Sequence, residues 1–71
     1  SHVEGKANLI EHFGIKEGDV GNTISRLAPM GKAFFNDHMV EVQAYEGFID
    51  ENKAIVVYKI SPSKIIVKLK T

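Results

Sequence analysis

Nucleophilic chemistry in this chain would have to come from serine, threonine or lysine, because its 71 residues include no cysteine. One group of such residues stands out, since Ser61, Ser63 and Lys64 lie close together. A serine or lysine with a base at hydrogen-bond distance is the arrangement that nucleophilic catalysis requires. Pro62 lies inside this group, however, and the segment is typical of a turn. We therefore predict a turn here and no catalytic residues.

The histidines and carboxylates do not indicate a metal site. His2, His12 and His38 have no metal-ligand spacing to one another or to a pair of carboxylates. His38 lies at a predicted strand start, where we expect a surface residue. Acid–base catalysis by paired carboxylates needs a pocket, and most of the carboxylates lie in predicted turns. We expect no metal and no cofactor.

The charged residues are unevenly distributed along the chain. Nine acidic and nine basic residues give a net charge of zero, which is unusual for a nucleic-acid-binding domain. Residues 1–51 carry nine acids and four bases, a net charge of −5, whereas residues 52–71 carry five lysines and no acid, a net charge of +5. The simplest interpretation is that these lysines alternate outward and keep strands soluble. A basic face for anionic lipid headgroups or nucleic acid is the alternative.

The composition is that of one small globular domain, with 44% apolar and 25% charged residues. Residues 1–17 are interpreted as a tag remnant, a linker and a possible short helical turn over residues 8–13. The chain begins with Ser1-His2 instead of methionine, so we expect a fragment of a longer protein. Residues 18–71 form the predicted folded domain.

From Gly21 onward, short apolar runs alternate with turn residues, which predicts β-strands. Pro29 should end the first strand, because proline cannot donate to a sheet. Five strands are predicted, over residues 22–28, 32–35, 38–45, 54–60 and 64–70. Five short strands cannot cover both faces of an open sheet, but they can enclose a core if the sheet closes on itself. We therefore predict an all-β fold, namely a five-stranded closed antiparallel barrel that is OB-fold-like. An SH3-like barrel is the alternative that periodicity does not exclude.

The alternation also assigns side chains to the inside or outside of the barrel. The expected core residues are Leu27, Val42, Val56 and Val67. Phe48 is expected to plug one barrel end, and Tyr58 to lie in the core or at its rim. Thr23 is expected to bond locally near the barrel mouth.

Three apolar side chains are expected to point outward on consecutive strands: Ile24, Phe34 and Met39. An exposed apolar patch commonly marks a protein contact surface, so these three residues are the candidate protein-contact site. OB-folds also bind single-stranded nucleic acid through stacking aromatic residues. Phe34, Tyr45 and Tyr58 are the candidates for that alternative.

Several segments, in order, resemble the C-terminal domain of NfeD-like proteins over roughly residues 18–70. The opening segment is Gly21-Asn22-Thr23-Ile24-Ser25-Arg26-Leu27-Ala28-Pro29-Met30-Gly31-Lys32-Ala33. The later segments are Tyr45-Glu46-Gly47-Phe48-Ile49, Lys53-Ala54-Ile55-Val56-Val57 and Ile65-Ile66-Val67. The chain departs from the pattern at Asn52 and Asn36-Asp37, which replace turn glycines, and at Arg26, which precedes the leucine instead of following it.

The resemblance implies a soluble OB-fold domain of a membrane-embedded protein that acts with stomatin- or flotillin-like membrane scaffold proteins. Longer members of that family carry a ClpP-like serine protease, but in a different domain. The resemblance therefore implies a non-catalytic protein-interaction domain, associated with a membrane through its parent protein. Binding of single-stranded nucleic acid is the alternative function.

Overall fold

A computed structural model describes residues 14–71 of the chain, which contain five β-strands and no helix. The strands are β1 (Val20–Thr23), β2 (Met30–Phe35), β3 (His38–Ala44), β4 (Ala54–Ser61) and β5 (Lys64–Leu69). The helical turn predicted over residues 8–13 lies outside the described residues.

The five strands close into a barrel in the order β1-β2-β3-β5-β4. Pairing of β1 with β4, in which Val20 lies opposite Val56, closes the barrel. The all-β, OB-fold-like barrel predicted from the sequence is therefore confirmed. The expectation of a wholly antiparallel barrel is wrong at one place, because β3 and β5 are parallel, with Ala44 opposite Val67. This pair joins segments distant in sequence, whose relative direction alternation does not specify.

The first strand is shorter than predicted and ends at Thr23. Leu27 was expected on the same strand, but it pairs with Ile49 in the loop between β3 and β4. The backbone N–H of each of these residues donates to the carbonyl of the other, with N–O distances of 2.8 and 2.9 Å. The chain therefore bends after Thr23, and β2 begins at Met30, two residues before the predicted start at residue 32.

The barrel interior is filled by aliphatic side chains and one phenylalanine. The buried core residues are Ile15, Leu27, Ala33, Phe35, Val40, Val42, Ala44, Ile49, Ile55, Val57, Ile65 and Val67. Three of the four predicted core residues are among them, but Val56 is only partly buried and its neighbours Ile55 and Val57 point inward. The sequence could not choose between these faces, because residues 54–58 are all apolar.

The tight turns adopt the backbone that their residue types favour. Asn36 and Asp37, between β2 and β3, have φ values of 49° and 66°. Positive φ at both positions is the requirement of a type I′ hairpin turn, which asparagine and aspartate tolerate. Asn52 also has a positive φ, of 60°. The polar residues that replace turn glycines are thus compatible with the same turn backbone.

Gly21 shows why one glycine is needed inside a strand. A Cβ atom at this position would overlap the Phe34 carbonyl oxygen and the ring of Phe35. The backbone therefore approaches its neighbours closely at this glycine, which allows a large ring to pack inside a very small barrel.

Candidate functional site

The outer side of β2 and β3 carries an apolar patch, defined here as Ile24, Phe34 and Met39. Phe34 and Met39 lie directly opposite each other in the β2–β3 hairpin. Their exposed fractions are 46% and 58%, and that of Ile24 is 42%. The three side chains predicted to point outward are therefore all exposed at the surface.

Ile24 joins this face although it lies just beyond β1. Its backbone N–H donates to the Lys32 carbonyl at 2.9 Å, which continues the β1–β2 register by one residue. Ile24 is therefore opposite Lys32 and diagonal to Phe34. In the adjoining β2–β3 pair, Lys32 lies opposite Glu41. A pair of opposite charges thus borders the patch.

A second surface feature lies where the β3–β4 loop meets the end of β5. It is a cleft of about 320 Å³, lined by Tyr45, Glu46, Phe48, Ile49, Val67, Lys68 and Leu69. Ile49 is buried and covers the core here, whereas Phe48 is half-exposed. The prediction that Phe48 plugs the barrel is therefore wrong. The next residue, Ile49, closes this end of the barrel instead of Phe48, because it pairs with Leu27.

Aromatic rings beside this cleft are covered by cationic side chains. The rings of Tyr45 and Tyr58 meet edge to face, with centroids 4.7 Å apart. The Lys68 ammonium lies 4.6 Å from the Tyr45 centroid and 4.0 Å from that of Tyr58. Such cation–π contacts stabilise both partners where they are partly shielded from water. Tyr58 is therefore a surface residue and not part of the core.

Arg26 likewise covers an aromatic ring, that of Phe48 in the β3–β4 loop. Its guanidinium carbon lies 4.3 Å from the Phe48 ring centroid, and its Nε is 3.7 Å from a carboxylate oxygen of Asp50. Sequence reasoning missed both cation–aromatic clusters. The parallel β3–β5 pair brings Tyr45 beside Lys68, and no local sequence signal indicates that pair.

The residues considered above as possible nucleophiles lie at the turn that joins β4 to β5. Ser61 ends β4 and lies opposite Lys64, which begins β5. The Ser61 hydroxyl donates to the Lys64 carbonyl at 3.4 Å, which is consistent with the predicted turn. Within residues 14–71, no group of three or more histidine or carboxylate side chains could hold a metal ion.

Comparisons with known proteins identify a similar fold. No protein-family model and no curated protein matches the sequence. Among solved structures, the chain is similar to the C-terminal domain of stomatin operon partner protein 1510-C from Pyrococcus horikoshii, with a TM-score of 0.72. The match covers 78% of this chain and 88% of that domain, at 18% sequence identity. The predicted resemblance to the NfeD-like C-terminal domain is thus confirmed at the level of the fold.

No helix within residues 14–71 is long and apolar enough to cross a membrane.

Proposed function

We propose that this domain is a non-catalytic protein-interaction module that binds a stomatin-like membrane scaffold protein through the apolar patch. The observation that carries the proposal is the patch itself, on a barrel of this fold. The similar solved domain belongs to a protein named as a stomatin operon partner protein. The sequence resemblance to NfeD-like proteins supports the same partner class and a membrane-embedded parent protein.

The geometry of the patch suits a protein contact. Phe34 and Met39 lie on a hairpin closed by a two-residue turn, so their backbone is already ordered before binding. Preorganisation reduces the conformational entropy lost on association. Aromatic residues and methionine are also enriched in protein interfaces. The mixed charges of Lys32 and Glu41 beside the patch would form part of a polar rim.

Binding of single-stranded nucleic acid is less well supported. Such binding uses exposed aromatic faces in a basic groove. Tyr45 and Tyr58 instead contact each other and the Lys68 ammonium. Phe34 is exposed, but the polar residues bordering it include Glu41, which would repel phosphate groups.

The direct test measures binding of the parent protein to the stomatin-like protein of the same organism, with both proteins purified in detergent. Truncating a residue at the centre of a contact weakens binding by about 1–2 kcal/mol or more, which corresponds to about 5–30-fold. We expect this loss for Phe34→Ala, with the barrel intact by circular dichroism. Leu69→Ala is the matched control, because Leu69 is similarly exposed, at 49%, but lies at the cleft.

Equal affinity of the wild type and Phe34→Ala would show that the patch is not the contact surface. Absence of any binding to the stomatin-like protein, together with low-micromolar binding of a single-stranded oligonucleotide, would favour the nucleic-acid function instead.

A further inference from the structure

All charged residues on the outer face of the β4–β5 hairpin are lysines. Lys64 and Lys68 alternate with the inward residues of β5, and Lys70 continues this alternation beyond the strand. Lys59 of β4 lies opposite the outward-facing Ile66 and so joins the same face. We call these four residues, Lys59, Lys64, Lys68 and Lys70, the lysine face.

Among the described residues, no carboxylate forms an ion pair with these four lysines. Residues 52–71 contain no aspartate or glutamate. Within residues 14–71, the ion pairs are Lys16–Asp19 and Arg26–Asp50, and neither includes a residue of the lysine face.

The strands that flank the lysine face contribute little negative charge. On β1, the residues on the outer side are Val20 and Asn22. On β3, Gln43 lies opposite Ile66 of β5. Glu41 is on the same outer side, between Lys32 of β2 and the Lys64 end of β5, and it forms no ion pair with the lysine face. A positive strip therefore extends along the hairpin.

The acidic residues closest to the hairpin lie at its edges. Asp19 pairs through its backbone with Val57 of β4, and its carboxylate is already paired with Lys16 at 3.4 Å. Glu46 and Glu51 belong to the loop that leads into β4, and this loop is next to the end of β5 that carries Lys70. Lys59 and Lys64 are near the opposite end, at the hairpin turn. Opposing charge on the far side of the barrel is screened, because the Debye length is about 8 Å at physiological salt and facing sheets lie about 10 Å apart.

We propose that the lysine face docks on the surface of an anionic lipid bilayer. Lysine ammonium groups are compact point charges that suit the diffuse negative potential of a lipid surface. The face contains no arginine, which is the residue best suited to bidentate recognition of individual phosphates. Tyr45 and Tyr58 border it beside Lys68, and tyrosine is enriched where protein meets the headgroup region.

Docking through this face leaves the apolar patch accessible. In the barrel order β1-β2-β3-β5-β4, β2 is flanked by β1 and β3, so β4 and β5 lie across the barrel from it. A domain lying on lipid through β4 and β5 would therefore direct Phe34 away from the bilayer. The lipid contact does not depend on the proposed protein partner.

The test is partitioning of the 71-residue chain onto phosphatidylcholine vesicles containing about one third phosphatidylserine. Each lysine near such a surface strengthens binding about fivefold, so Lys59→Gln combined with Lys64→Gln should weaken partitioning about 25-fold. The matched control combines Arg26→Gln with Lys32→Gln, which removes the same charge away from the lysine face. We expect less than about a threefold effect from this control, because Arg26 already has the Asp50 carboxylate beside it and Lys32 lies on β2, across the barrel from β4 and β5.

Several outcomes would overturn the proposal. One is absence of partitioning at about 0.05 M salt, where surface electrostatics are strongest. Another is equal weakening by the two double variants, because net charge instead of the lysine face would then determine binding. A third is tighter binding to a single-stranded oligonucleotide that depends on Lys59 and Lys64, which would assign the face to nucleic acid.

Discussion

Replacing Thr23 by valine tests whether a buried hydroxyl holds the β3–β4 loop against β1. Thr23 is the buried polar residue of the described core, with 2% of its surface exposed. Its hydroxyl donates to the Asp50 carbonyl at 2.7 Å and accepts from the Lys53 backbone N–H at 2.9 Å. Thr23→Val keeps the shape of the side chain but leaves both backbone groups without this partner.

The expected loss follows from these two bonds. Leaving a buried donor or acceptor unsatisfied costs about 1–3 kcal/mol per group, and the site is only partly shielded, so we expect about 2–4 kcal/mol in total. Thr23→Ser is the control, because it keeps the hydroxyl and loses one buried methyl group, or about 1 kcal/mol. Urea unfolding monitored by circular dichroism measures both free energies. A valine variant as stable as the serine variant would refute the reasoning.

Two further substitutions test the core and the hairpin turn by the same unfolding measurement. Leu27→Ala should destabilise the domain by about 2–5 kcal/mol, because the side chain is fully buried; a loss below about 1 kcal/mol would show that the site collapses around the smaller residue. Asp37→Val should cost about 1–2 kcal/mol, because a β-branched residue is strained at a φ of 66°. Asp37→Gly should cost nothing, and equal stability of the valine and glycine variants would contradict this explanation.

Much of the barrel could be predicted from the sequence because its signals are local. Alternating residues on β3 and β5 identify the inward face, and Asn36-Asp37 identifies a tight hairpin turn. Phe34 and Met39 flank that turn, so their outward direction also follows from local alternation. Sequence reasoning succeeded where neighbouring residues determine the structure.

The errors arise from contacts between distant segments. Alternation extends past Thr23, but pairing of Leu27 with Ile49 takes the chain out of β1. Thr23 was expected to bond locally, yet its hydroxyl contacts residues 27 and 30 positions away. The Tyr45–Lys68–Tyr58 cluster likewise depends on which strands are neighbours. Such pairings depend on the whole barrel closing, which local periodicity does not encode.

The proposed patch and lysine face can be tested separately because they share no strand. The patch lies on β2, β3 and the residue after β1, whereas the lysine face lies on β4, β5 and the residue after β5. Substitutions at distant sites with no common contacts usually act independently. Phe34→Ala should therefore leave vesicle partitioning unchanged, and Lys59→Gln with Lys64→Gln should leave affinity for the protein partner unchanged in detergent. Loss of both activities in either variant would instead indicate that the barrel itself has been disrupted.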